Sequence, residues 1–206
     1  MDSQAVIVAV VSIIAAYLIG GIPFGVVVAR LIGGQDPRTV GSGRTGGANT
    51  MRAIGPRAAL VAGLLDAAKG SVAVAIPIVL GAGIAVQAVA GLVSIFGHSR
   101  SPYINFGGGR GVAPAFGSLL VIQPLVALVV LPVFLLVLLL SRYSSLASLT
   151  ASAAGGVAMG VLAVALQLPL AYVAYGIAAA VLIWLFHLDN IQRLVAGQER
   201  KIEFRR

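Results

Sequence analysis

The residues able to do chemistry concentrate in two glycine-rich segments and at a few points beside them. The first segment, GSGRTGGAN at residues 41–49, sets four glycines among Ser42, Thr45 and Asn49, and Arg52 follows about one helical turn later. Glycine allows unusual dihedrals and lets backbone N–H groups approach an anion, while arginine offers a forked charge that suits phosphate. The same residues also suit a flexible linker whose arginines only set membrane topology. A second segment, NFGGGRGVAP at residues 105–114, repeats the pattern with Arg110. Neither has the Lys-Ser or Lys-Thr of a P-loop at the required spacing, which disfavours nucleotide hydrolysis. Two such segments, each with an arginine, point to a phosphorylated ligand.

Other polar residues lie close to these segments. Asp66 and Lys69 stand three apart inside an apolar run, where charge is expensive unless paired or functional. They either bridge each other, or Lys69 reaches up toward the polar loops. His98 opens the loop that holds the second segment, as a base near neutral pH or as a solvated interfacial residue. His187, Asn190 and Arg193 share a helical face at the end of the last apolar run, to line a polar mouth or to cap the helix and meet headgroups. Ser144, Ser145 and Ser148 follow Arg142, where hydroxyls close a pocket or bond neighbouring helices. Two histidines and six acidic residues without paired spacing offer no metal-ligand set, so neither metal nor cofactor is expected. With no cysteine, disulfides and thioester intermediates are excluded.

The elements that position these residues must be membrane helices. The 206 residues are 59% hydrophobic and 10% charged, with a mean hydropathy of +1.04, far from any soluble composition. The apolar runs lack the period-two alternation of a barrel, leaving the α-helix as the spanning element. The fold expected is an all-α integral membrane protein of about seven spans in one domain. The spans fall at about 5–29, 58–80, 82–97, 111–122, 124–141, 146–165 and 169–187. Gly20, Gly21 and Pro23 should kink the first, and Gln123-Pro124 should break the long run from Gly111 to Ser141. The first run lacks a basic leader region and is read as a retained span. Loops 30–57, 98–110 and 142–145 and the tail 188–206, including Arg205 and Arg206, hold the arginines and are placed in the cytoplasm, with the N-terminus outside. The net charge of +8 is therefore expected to meet anionic headgroups and not nucleic acid.

Taken in order, GSGRTGGANTMR, LLDAAKG, GHSRSPYINFGGGRGVAPAFG and HLDNIQRLVAGQERK resemble the bacterial acyl-phosphate:glycerol-3-phosphate acyltransferase family, PlsY, over nearly the whole chain. The resemblance implies a seven-helix inner-membrane enzyme that moves a fatty acyl group from acyl phosphate to the 1-hydroxyl of glycerol 3-phosphate. The product would be lysophosphatidic acid, the active site would face the cytoplasm, and a soluble enzyme would supply acyl phosphate. Carried over, the match implies Ser42, His98 and Asn190 as catalytic residues and Arg52, Lys69, Arg110, Ser145 and His187 as phosphate-binding. On this reading Arg52 and Lys69 hold the acceptor phosphate, Arg110 holds the donor phosphate, and Ser42 with loop amides steadies the oxyanion. The base is His98 or a substrate phosphate oxygen. The chain departs from the family's GSGNxGATN at Arg44, Gly47 and Ala48, and from GGKGVAT at Arg110 and Pro114. Without the resemblance, Asp66, Lys69 and the glycine kinks would also fit a transporter of a phosphorylated metabolite.

Overall fold

A computed structural model describes residues 2–203; Arg205 and Arg206 lie outside the described residues. Among the described residues nine α-helices form: α1 (Ser3–Gly21), α2 (Phe24–Leu31), α3 (Gly47–Val79), α4 (Ile84–Ser99), α5 (Val112–Ile122), α6 (Pro124–Ser141), α7 (Ser144–Leu166), α8 (Leu170–Phe186) and α9 (Leu188–Val195). Their breaks have local causes. Ile22 precedes Pro23 and takes an extended ψ of 118°, because the proline ring crowds a helical residue before it. The kink expected in one span is thus a full break between α1 and α2. Gln123, before Pro124, is likewise non-helical at φ −154° and ψ 85°, and separates α5 from α6.

The segment read as a polar loop, 30–57, is more ordered than its composition suggests. It holds a 3-10 turn over Pro37–Thr39 and the first turns of α3, which bend at Gly55 with φ 84° and ψ 172°. Residue 55 must be glycine to take that φ without strain, and Pro56 then starts the long arm of α3 with its preset dihedral. The tail likewise begins as helix, with α9 turned 62° from α8.

Four helices, α1, α3, α6 and α7, are each long and apolar enough to cross a bilayer, and α8 with α9 makes a fifth if the bent pair is one span. The outside of the bundle is apolar: Leu128, Leu139, Leu140, Val164 and Leu170 are all strongly exposed, which only a lipid solvent tolerates on this scale. Inside, small residues replace bulk. A Cβ on Gly70 of α3 would overlap the backbone of Pro114 in α5, and one on Gly117 of α5 would overlap the Ala67 carbonyl. At that crossing Ser71 Oγ donates to the Gly117 carbonyl at 2.7 Å and Ser118 Oγ to the Gly70 carbonyl at 3.2 Å. Between α1 and α4, Gly20 packs on Ser94 and Gly97 on the Tyr17 carbonyl. Close backbone approach with serine bonds across it is how helices associate where lipid tails are as apolar as leucine. Fully buried Tyr175 of α8 fills the centre with Ile95, Met159 and Val126.

Gly70→Ala should therefore destabilise the folded bundle by about 1–3 kcal/mol through overpacking. Gly63→Ala, on the same helix with open space around it, should be neutral or slightly stabilising. Thermal unfolding in detergent separates the two, and equal midpoints would contradict the crossing.

Candidate active site

The loop before α3 is organised by one side chain. Asn49, 3% exposed, donates through Nδ2 to the carbonyls of Val40 at 3.0 Å and Arg44 at 2.9 Å and to Ser42 Oγ at 3.2 Å. Its Oδ1 accepts from Arg52 Nη1 at 3.1 Å and from the Ser42 N–H at 3.4 Å. An amide with both donors and its acceptor occupied fixes the loop, and it holds the Arg52 guanidinium while leaving the Ser42 hydroxyl proton free to donate. Asn49 was noted in the sequence only as part of a glycine-rich stretch. Its organising role rests on backbone carbonyls whose positions no sequence pattern displays.

Deeper, three ionisable groups meet. Lys69 Nζ lies 2.7 Å from Asp66 Oδ1, 3.0 Å from His98 Nδ1 and 2.6 Å from the Ile22 carbonyl at the α1–α2 break. The lysine is 2% exposed, the aspartate 4% and the histidine 5%. Asp66 approaches the ammonium as an ion pair without an aligned hydrogen bond. Of the two sequence readings of Lys69, the geometry carries the ion pair: all three ammonium protons have neighbours inside the bundle. A direct contact with a substrate phosphate would require the lysine to leave them.

The third part joins the second glycine segment to the tail. Arg110 Nη2 donates to Asp189 Oδ2 at 2.7 Å, and Arg193 reaches the same oxygen at 3.2 Å. Arg193 Nε also meets Glu199 Oε2 at 2.8 Å, while Asn190 Nδ2 donates to Glu199 Oε1 at 2.7 Å. His187 Nδ1 donates to the Ile183 carbonyl at 2.7 Å, leaving Nε2 as its free ring atom. Burial works to raise the Asp189 carboxyl, but Arg110 and Arg193 outweigh it and hold it below the usual carboxylate range. Asp189 and Glu199 were not singled out in the sequence. The available signal was scarcity: the chain has six acidic residues, and Asp66 and Glu199 line the cavity described next while Asp189 braces it.

These parts surround a cavity of about 530 Å³, within the range of ordinary ligand sites. Six of the eight residues singled out from the sequence line it: Ser42, Arg52, His98, Arg110, His187 and Asn190. Lys69 stands behind His98. Ser145 is buried on α7, its hydroxyl without a hydrogen-bond partner among the described residues, and the serines of α7 that line the cavity are Ser144, Ser148 and Ser152. Arg44 and Arg200 also face the cavity, and among the described residues neither has a carboxylate within ion-pair reach. Below this polar end the wall becomes apolar, with Leu60 and Leu64 of α3, Phe116 of α5 and Leu131, Phe134 and Leu138 of α6. Leu60 and Leu64 are more than half exposed, so the groove opens on the flank of the bundle. The glycines at 108 and 109 serve packing: a Cβ on Gly108 would overlap the His98 carbonyl, and one on Gly109 would overlap His98 Nε2.

An all-helical bundle with a lipid-facing exterior and one arginine-rich cavity at an end is a multi-pass integral membrane protein. The chain belongs to the glycerol-3-phosphate acyltransferase family, whose model matches residues 10–197. It is 42% identical over 194 residues to a glycerol-3-phosphate acyltransferase from Thermus thermophilus, covering 94% of this chain and 95% of that one. The corresponding protein of a Synechococcus species is also 42% identical over 194 residues, covering 94% of each chain. Among solved structures, the glycerol 3-phosphate form of PlsY, an integral membrane glycerol 3-phosphate acyltransferase, superposes with a TM-score of 0.85 at 36% identity, over 95% of this chain and 96% of that one. Its lysophosphatidic acid form superposes at 0.82 and 34% identity, over 94% of each.

The Asp189 bridge carries a pH signature. Its stabilisation is present above the unfolded carboxyl value of about 3.9 and is lost as pH falls through the lower folded value. Asp189→Asn should thus lower the thermal midpoint at neutral pH, with the gap to wild type closing in acid. A gap that does not narrow as the pH falls below the unfolded value of about 3.9 would contradict the bridge.

Proposed function

We propose that this protein transfers a fatty acyl group from acyl phosphate to the 1-hydroxyl of glycerol 3-phosphate, releasing lysophosphatidic acid and inorganic phosphate. The observation that carries the reading is the double character of this cavity, with arginines at its polar end and an apolar groove open to the flank. Both substrates are phosphorylated and one carries a long chain, so this pairing of surfaces meets both without extracting the chain from lipid. The relatives named for glycerol 3-phosphate acylation, and the related structures with glycerol 3-phosphate and lysophosphatidic acid, support the acceptor and product.

In the reaction the glycerol hydroxyl attacks the acyl carbonyl, a new C–O ester bond forms, the acyl–phosphate C–O bond breaks, and phosphate leaves with the electron pair. The proton of the hydroxyl passes to a phosphate oxygen or to a histidine. The protein must hold two anions side by side and orient the hydroxyl. Arg110 and Arg193 are braced by carboxylates, whereas Arg52 is held by neutral partners and Arg44 is unpaired among the described residues. Arg52 and Arg44 therefore bring the uncompensated charge, and the braced Arg110 brings fixed direction. Ser42, whose oxygen accepts from Asn49 and whose proton is free, is placed to donate to the developing oxyanion. Asn190 and His187 complete the polar wall.

What the arginine end contains supports a seven-span topology. Arg52 donates to the Lys201 carbonyl at 3.4 Å, Arg110 bridges to Asp189, and the Ile202 N–H donates to the Arg142 carbonyl at 2.8 Å. Residues 52, 110, 142 and 201 thus gather at one end, and on this reading the chain leaves and returns between them through α3 and α4, α5 and α6, and α7 and α8. With α1 this makes seven passages, the short α5 crossing only part of the thickness. The arginine-rich end is the cytoplasmic one by the bias of basic loops, with the N-terminus outside. In a bacterial inner membrane that end would receive acyl phosphate from a soluble enzyme.

Purified protein with acyl phosphate and labelled glycerol 3-phosphate should yield labelled lysophosphatidic acid, and acyl-CoA should not substitute. Arg52→Ala should lower kcat/KM by about 30- to 150-fold, the worth of a charged hydrogen bond of about 2–3 kcal/mol. Label that enters vesicles without forming lipid would mark a transporter instead.

A further inference from the structure

We infer that the buried Lys69–Asp66 pair sets His98 as a fixed hydrogen-bond donor, with its Nε2–H directed at an anionic substrate oxygen, and that His98 is not the base of the reaction. The inference rests on the proposed acyl transfer for its setting and on the geometry of one ring for its content.

An ammonium group has three donors and no acceptor. Lys69 Nζ lies 3.0 Å from His98 Nδ1, so a proton on Nδ1 would point at an N–H of the lysine across a hydrogen-bond distance. The competing partner, Asp66 Oδ1, is 3.5 Å from the same nitrogen, too long for a good bond. Nδ1 therefore accepts, and the ring proton of the neutral imidazole sits on Nε2. A doubly protonated ring would set two cations 3.0 Å apart in a site 5% exposed or less, which Asp66 alone does not balance, since it already meets Lys69 at 2.7 Å.

Nε2 has no hydrogen-bond partner among the described residues, and it lies against Gly109, where any Cβ would overlap it. His98 is on the cavity wall near Arg110. The glycine at 109 thus lets the chain pass beside the ring without burying its free N–H. His187 is set the opposite way: its Nδ1 must donate, because its partner is the Ile183 carbonyl, and a carbonyl only accepts. The two rings face one cavity with complementary Nε2 atoms, a donor on His98 and a lone pair on neutral His187. Lys69 and Asp66 act through His98 and are positioning residues.

Because the chain has two histidines, a 15N-histidine NMR spectrum of the full-length protein in nanodiscs contains two rings, assigned with the His98→Gln variant. At neutral pH without substrate, His98 should be protonated at Nε2 only, and Lys69→Met should move its proton toward Nδ1, where Asp66 remains. Adding glycerol 3-phosphate or an acyl phosphonate should shift the His98 Nε2–H signal. In turnover, His98→Gln, whose amide keeps a donor near Nε2, should stay within about tenfold of wild type, less than the roughly 100-fold or more that loss of a general base costs, whereas His98→Leu, which has no donor, should fall by about 100-fold, the cost of removing one donor aimed at an anionic oxygen. An Nδ1–H or doubly protonated His98 in the wild type, an Nε2–H signal that neither substrate mimic moves, or a glutamine variant as inactive as leucine would overturn the inference. If the variants fail to fold, the wild-type spectrum alone decides. If no acyl donor gives product while the tautomer is as assigned, it is the acyl-transfer reading that fails.

Discussion

The structure turns on a single ammonium group. Lys69 sits in the middle of a long apolar helix, where an isolated charge is costly, and it is accepted because three different elements supply its partners. Asp66, one turn earlier on α3, balances the charge. The Ile22 carbonyl lies at the proline break between α1 and α2, where its backbone donor is the Phe24 N–H at 3.1 Å, and Lys69 is its second donor at 2.6 Å. His98 ends α4 and takes the third contact. One side chain therefore ties a helix break, a helix interior and a helix end at the base of the cavity. Breaking such a group by removing one partner is far more costly than its net stabilisation suggests, because the remaining charge is left buried and unpaired.

Around this hub the charges sort into two layers. The inner layer, Asp66 with Lys69, is neutral as a pair. Further out, Asp189 and Glu199 brace Arg110 and Arg193 into fixed directions while Arg44 and Arg200 face the cavity without carboxylate partners among the described residues. This arrangement suits anions that arrive and leave, since fixed donors aim the ligand and uncompensated charge attracts it. The apolar groove below demands no specific bonds, only surface continuous with lipid.

Much of this was legible from the residues. Composition gave an all-helical membrane protein, the prolines at 23 and 124 marked real helix breaks, and the two glycine-arginine segments and the tail do meet in one cavity. Three things were not legible, each because it depends on contacts between distant residues. Gly108 and Gly109 read as an anion cradle, but both are required by the passage of the chain across His98. The braces Asp189 and Glu199 look like ordinary surface acids until Arg110, 79 residues from Asp189, is seen beside it. Ser145 and Ser148 cannot be ranked by type or by helical position, and only the packing of α7 turns Ser148, and not Ser145, to the cavity.

The central claim is that one cavity holds the phosphates at its arginines and the acyl chain in its flank groove. A structure solved with a non-hydrolysable acyl phosphonate tests it most directly. The phosphonate oxygens should lie against Arg52, Arg110 or Arg44 and the chain beside Leu64, Leu131 and Phe134. A phosphonate bound away from these arginines, or a chain lying outside the groove between α3 and α6, would contradict it.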